Sequence, residues 1–246
     1  PKVTRWALYA ATLGLVPHLA AIIERWIRIG HGPYLGFFEV ASALSIFTVG
    51  FFVAMAWRYK KAAPVGIAVM PVVLIMLAAA MLAPKNGLPI SAALASYWLV
   101  IHVVFSDLAF GSFVASFGLS IAYLLRARSV EGPWAHRLEK LPAQEVVDDL
   151  SFKFVSAGFL FWTVMIASGA IWANEAWGRY WGWDPIETWS LVVWLIYAAF
   201  LHFRLTLGWK GERTAWLAIV AMPLAMFSLI GIPFLFKSIH AGYITG

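Results

Sequence analysis

The chain is patterned in long apolar runs separated by short polar breaks, not in single alternating positions. Seven runs approach the ~20 apolar residues that a helix needs to cross a hydrocarbon core about 30 Å thick. They are Trp6 to Ile23, Phe37 to Trp57, Ala62 to Ala83, Leu108 to Leu125, Phe154 to Ala173, Thr188 to Phe203 and Thr214 to Phe236. The pattern predicts an all-α protein, a polytopic membrane helical bundle of about seven transmembrane helices, with room for one more upstream of Pro1.

Two breaks are longer than the rest. Residues 126–153 carry "EGPWAHRLEKLPAQEVVDD", whose stretch after Pro142 predicts an amphipathic surface segment. Residues 84–107, added to the fourth run, give nearly forty apolar positions, too many for one crossing. A short surface or re-entrant helix is therefore expected before that span, leaving His102 near the membrane boundary. No internal repeat or low-complexity linker interrupts the chain, so a single membrane domain over residues 1–246 is the simplest organisation.

Composition agrees with the pattern, with 62% hydrophobic and 12% charged residues. The net charge of +6 acquires meaning when sorted by loop. With the N-terminus inside, thirteen basic residues fall on the inner side: Lys2, Arg5, Arg58, Lys60, Lys61, Arg126, Arg128, Arg137, Lys140, Lys153, Arg204, Lys210 and Arg213. Five, Arg25, Arg28, Lys85, Arg179 and Lys237, fall outside. That asymmetry predicts a cytoplasmic N-terminus and membrane lipids as surroundings, and the charge needs no nucleic acid to explain it. The first run is flanked and continued like a true span, not like a cleaved signal peptide. The chain has no cysteine, which excludes disulfides, thiolate metal sites, iron–sulfur clusters and covalent haem attachment to this chain.

The break between the fifth and sixth runs is unlike the others. "WGRYWGWDPIETW" (177–189) sets Trp177, Tyr180, Trp181, Trp183 and Trp189 around a short polar turn, which topology places outside. An interfacial aromatic belt is the simplest reading, because Trp and Tyr concentrate at membrane surfaces in general. A belt does not account for Gly178 and Gly182, which allow tight bends between bulky rings, or for Asp184-Pro185 with Glu187, which read as a helix start with acidic first-turn residues. A built site for a flat ligand fits the whole segment better. Arg179 suits either a ligand carboxylate or a lipid phosphate.

With no thiols, the six histidines are the strong metal ligands available. His31, His102 and His240 fall outside, His136 lies in the inner loop, His202 sits at the inner end of the sixth run, and His18 lies within the first. His102 and His240 share the face of the Trp-rich segment, and two imidazoles from opposite sides commonly hold haem iron. His202 is thirteen residues past Trp189, roughly 20 Å deeper at about 1.5 Å per residue, and belongs to a separate site or to the inner basic cluster beside Arg204. No other histidine of this chain obviously reaches it, so a partner subunit would supply its mate.

The stretch "GFLFWTVMIASGAIWANEAWGRYWGWDPIETWSLVVWLIYAAFLHFR" resembles the tryptophan-rich "WWD" region of CcsA-type cytochrome c biogenesis proteins, members of the haem-handling superfamily. "RWIRIGHGPYLGFFEV", "WLVIHVV" and "SIHAGY" are similar to other segments of that family, more weakly. Where the family often has an Asn-Leu-Tyr-Glu-Ser type stretch, Gly36-Phe37-Phe38-Glu39-Val40 keeps only the acid.

The resemblance implies a chain that carries haem b across a bacterial cytoplasmic or thylakoid membrane. It would present haem outside to apocytochrome c, whose CXXCH thiols form thioethers with the vinyls. His102 and His240 would be the external axial ligands and His202 the transmembrane one. The segment at about 172–190 would be the haem platform, with Trp177, Tyr180, Trp181, Trp183, Asp184 and Trp189. Implied partners are a CcsB/ResB-type membrane subunit, with which it would form a cytochrome c synthase, and a thiol-reducing protein. The alternative is a membrane b-type cytochrome that transfers electrons to or from quinone. That reading wants facing histidine pairs at both depths, and the inner pair is incomplete.

Overall fold

A computed structural model describes residues 2–83, 94–128 and 141–244. All regular elements among them are helical. They are α1 (Lys2–Ile29), α2 (Phe37–Arg58), α3 (Gly66–Leu82), α4 (Tyr97–Ala127), α5 (Gln144–Trp177), α6 (Pro185–Leu205), α7 (Glu212–Met226) and the short α8 (Ile232–Leu235) and α9 (Ala241–Ile244). Seven helical segments are long and apolar enough to cross a membrane, the last running from Glu212 to Leu235. Each contains or closely overlaps one of the runs read from the sequence, which makes this an integral membrane protein.

Two helices outrun their apolar cores. α4 has 31 residues and α5 has 34, so both exceed the hydrocarbon thickness by several turns at about 1.5 Å per residue. The fourth helix begins at Tyr97, where Ser96 accepts a hydrogen bond from the Trp98 N–H at 3.1 Å, and it continues unbroken through His102. The separate re-entrant piece expected before the crossing is thus absent from residues 97–107, and any such piece within 84–93 lies outside the described residues. In the same way, the expected surface segment after Pro142 is the first part of α5, continuous with its span. Both extensions have a neighbour: α4 and α5 pack against each other, so turns beyond the bilayer stay helical under cover. Residues 129–140, with His136, lie outside the described residues.

α4 is the central element, with 72% of its most apolar window buried, whereas α1 has 6% buried and lies at the edge of the bundle. The α4 and α5 faces that meet are rich in small residues, as expected where helices associate without a hydrophobic drive. Ser151 sits between Ser116 and Ser120 at 2.8 and 3.0 Å, so buried hydroxyls satisfy one another across the contact.

The seventh span is not a regular α-helix. Its register widens over Phe227–Gly231, where the Ile232 N–H reaches back to the Phe227 carbonyl, one residue further than an α-helix would. Pro233 follows and has no N–H to continue the ladder. This irregular turn carries Ser228 and Leu229 to the wall of a cavity that His102 and His240 also line.

Candidate functional site

Helix α5 ends at Trp177 because Gly178 adopts a left-handed conformation, φ 71°, and its N–H closes on the Asn174 carbonyl at 2.9 Å. The chain turns through residues 179–183 and re-enters a helix at Asp184. Glu187 Oε2 accepts from the backbone N–H of Asp184 at 3.1 Å and of Gly182 at 2.7 Å, while Asp184 Oδ2 accepts from the Ile186 N–H at 3.2 Å. The two acids are the reciprocal cap of α6, which is the role their spacing predicted.

Asp184 also does something the sequence did not announce. Its carboxylate accepts from Ser238 Oγ at 2.6 Å, from the Ile239 N–H at 3.0 Å and from His240 Nδ1 at 3.0 Å. The residue that starts α6 therefore fastens the C-terminal segment and orients its histidine. Burial works to raise the Asp184 carboxyl, but the hydrogen bonds from His240, Ser238 and Ile239 outweigh it. They hold the carboxyl well below the usual carboxylate range.

His102 is oriented from another direction. Its Nδ1 lies 2.8 Å from the Met165 carbonyl of α5, and since a carbonyl only accepts, Nδ1 carries the hydrogen. Gly169 makes this approach possible: a Cβ there would stand 2.5 Å from His102 Nδ1. Each histidine thus has one ring nitrogen engaged by a fixed acceptor, and neither Nε2 has a hydrogen-bond partner among the described residues. That is the arrangement by which second contacts fix the tautomer and aim of a metal-ligating imidazole.

Both rings border one cavity of about 1110 Å³ including its open mouth. Trp172 stands between the histidines, its ring centroid 6.4 Å from that of His102 and 5.7 Å from that of His240. Tyr180, Trp181 and Tyr243 also line the cavity. Trp177 packs edge-on against His240 at 4.8 Å and stacks on Tyr243, so the His240 ring is held on that side by aromatic contacts.

Not every ring of the 177–189 segment faces this space. Trp183 is 70% exposed with φ 56° and stands perpendicular to Trp181. Trp189 lies edge-on to Phe227. His202 occupies the far end of α6, exposed on the outer surface of the bundle. His18 Nε2 bonds Ser42 Oγ at 2.9 Å, tying α1 to α2.

Sequence reasoning passed over Trp172 as a ring on its own, Tyr34, Tyr243 and Asp107, all of which line the cavity. Asp107 is 2% exposed, and an acid within an apolar stretch is itself a functional signal. It is hidden in the sequence because the fourth apolar run begins one residue later, at Leu108. Trp172 had a signal too, since it falls at the start of the 172–190 segment.

Comparison with known proteins agrees with this picture. The cytochrome C assembly protein family matches residues 6–240. The chain is 35% identical over 269 residues to the cytochrome c biogenesis protein CcsA of Synechococcus sp. (strain RCC307), covering 98% of this chain and 84% of that protein. It is 31% identical over 292 residues to CcsA of Gloeobacter violaceus, covering 96% and 86%, and 33% identical over 239 residues to CcsA of Guillardia theta, covering 88% and 78%. These likenesses do not favour the quinone-linked b-type cytochrome. Seven membrane-crossing helices and a match spanning nearly the whole chain make it a CcsA-type member of the cytochrome c assembly family, an integral protein of a bacterial or thylakoid membrane with a role in cytochrome c biogenesis.

Proposed function

We propose that the chain takes haem b as its substrate and holds it in the 1110 Å³ cavity, with His102 and His240 as axial ligands, for attachment to apocytochrome c. The supporting observation is that two histidines from distant segments border one cavity with Nδ1 engaged and Nε2 unbonded. Trp172, Tyr180 and Trp181 offer flat apolar surface to a macrocycle, and Trp177 and Asp184 hold His240 in place. Of the whole presenting segment, 172–190, these are the residues we assign to the site; Trp183 and Trp189 serve the turn and its packing.

The protein contributes alignment. Each thioether forms when a cysteine S–H adds across a vinyl, sulfur to the carbon next to the ring and hydrogen to the terminal carbon, with no net change in electrons. Such an addition gains most from holding both partners close and correctly turned. The cysteines come from the CXXCH of apocytochrome c, kept reduced by a thiol-reducing protein. Delivery of haem from the N-terminal side would use His202, whose exposure on α6 suits a second ligand from a CcsB/ResB-type subunit, the two chains together forming the synthase. Residues 1–246 act as one membrane domain in this scheme, with the N-terminus inside.

The test is to purify the chain with its partner and record absorbance spectra for wild type, His102→Ala and His240→Ala, alongside cytochrome c maturation. Both variants should lose haem and maturation together. Unchanged haem content in both would overturn the ligand assignment, and haem loss with normal maturation would favour electron transfer instead.

A further inference from the structure

A second cavity lies beside the first, between the end of α1, the start of α2 and Met81 of α3. It encloses about 760 Å³ including its mouth. Its apolar part is formed by residues such as Ile22, Trp26 and Phe38, and its polar part includes Glu24, Arg28 and His31 beside the Arg25–Glu39 pair and Ser42. The wall between the two cavities is the 30–36 turn: His31 and Pro33 face the second, Tyr34 and Leu35 the first.

His31 is the unusual member. It is 3% exposed, and its Nδ1 lies 2.8 Å from the Gly32 carbonyl, so Nδ1 donates. Its Nε2 is buried without any hydrogen-bond partner. A buried ring nitrogen left unbonded is destabilising, by about as much as a lost hydrogen bond, unless something donates to it. That nitrogen belongs to a residue of the cavity wall, so the vacant role is that of a hydrogen-bond donor reaching it from the cavity side.

Position and charge narrow the donor. Glu24, Arg25 and Arg28 end the apolar run of α1, which puts the cavity at headgroup level, and α1 is largely uncovered, which leaves the site reachable from the lipid side. Glu39 is taken up by its ion pair with Arg25. Arg28 and Glu24 are more loosely paired, at 3.4 Å with both side chains over half exposed, and so remain able to engage a headgroup.

We propose that this cavity binds a membrane phospholipid whose headgroup carries a hydrogen-bond donor, with the phosphate on Arg28, an ammonium or hydroxyl donating to Nε2 of His31, and an acyl chain along Ile22 and Trp26. The site stands apart from the haem reading and does not depend on it. Because Gly36 N–H donates to the Tyr243 carbonyl at 2.9 Å, a filled second cavity would also steady the turn that borders the first.

The experiment uses the full chain, delipidated in mild detergent, with bound lipid read by native mass spectrometry and by thermal shift. Phosphatidylethanolamine and phosphatidylglycerol both carry donors; phosphatidylcholine has the same phosphate and no N–H or O–H. At least one donor lipid should bind more tightly than phosphatidylcholine, and His31→Phe should weaken it about three- to tenfold, the worth of one hydrogen bond, without touching phosphatidylcholine. Arg28→Gln, at an exposed position, provides a second variant if His31→Phe fails to fold, and should weaken all three lipids. Equal binding of the three lipids to wild type would overturn the proposal, as would equal binding of chain-free glycerophosphoethanolamine, which would mean a soluble headgroup and not a lipid.

Discussion

The two ends of α6 are each organised by one carboxylate, half-buried at one end and buried at the other, and they reach opposite outcomes. At the C-terminal end Asp148 accepts from both terminal guanidinium nitrogens of Arg204, at 3.0 and 2.6 Å, and from the Gly211 N–H at 2.9 Å and the Thr214 hydroxyl at 3.2 Å. Its charge is fully met by a bidentate partner, and the space around it is a crevice of about 220 Å³. At the N-terminal end Asp184 collects a similar number of bonds, but its ring partner is an imidazole whose second nitrogen is still open, beside a cavity five times larger. A carboxylate paired with arginine closes a bundle. One paired with histidine passes its orienting effect onward to whatever the imidazole binds.

Breaking the closed end should have the largest effect on stability. Arg204→Met strands Asp148, and removing one partner of a buried pair costs roughly 3–5 kcal/mol, read as a fall in thermal midpoint. Loss of haem from that variant before loss of fold would show that the two ends of α6 do not act separately.

Next comes Asp184, where two substitutions separate its roles. Asp184→Asn can still cap α6 but holds His240 less firmly, and loss of such an outer contact typically weakens metal binding about 10- to 100-fold. Asp184→Ala should show that loss and a further helix-cap cost of about 0.5–2 kcal/mol. Equal haem affinity for wild type and Asp184→Asn would show that the His240 contact is structural only.

Gly169→Ala should act through His102 alone. The added methyl must push the ring off the Met165 carbonyl, so the haem spectrum should change and the thermal midpoint should move less than in Arg204→Met.

The smallest effect is with pH. The carboxyl of Asp184 is held below its unfolded value, so the stability it contributes is complete above the ordinary carboxylate pKa near 3.9 and is lost only as pH falls through the depressed folded value. Titration from pH 7 to 5 should leave the contribution of Asp184 unchanged, measured as the difference in thermal midpoint between wild type and Asp184→Asn. A difference that shrinks over that interval would contradict the pairing.

Much of the fold was legible because membrane spans answer to a local rule: every backbone group must be bonded within the segment, so about 20 apolar residues in sequence are enough to mark a helix. The α6 cap was legible for the same reason, since Asp184 and Glu187 are three residues apart. The lengths of α4 and α5 were not, because polar turns beyond an apolar core stay helical only when a neighbouring helix receives them. The tryptophan count was visible, but which rings face the cavity was not: Tyr180 and Trp181 line it, while Trp183 and Trp189 turn to other neighbours.

The sequence by itself determined an all-helical membrane bundle, its family, and the histidines worth watching. Tertiary structure decided which atoms of those histidines are available. His240 meets a carboxylate 56 residues away, and His102 meets a carbonyl 63 residues away across a glycine. Hydrogen bonds are short and directional, so partners that far apart in the chain are chosen by how the helices pack, and periodicity along any one helix carries no record of the choice.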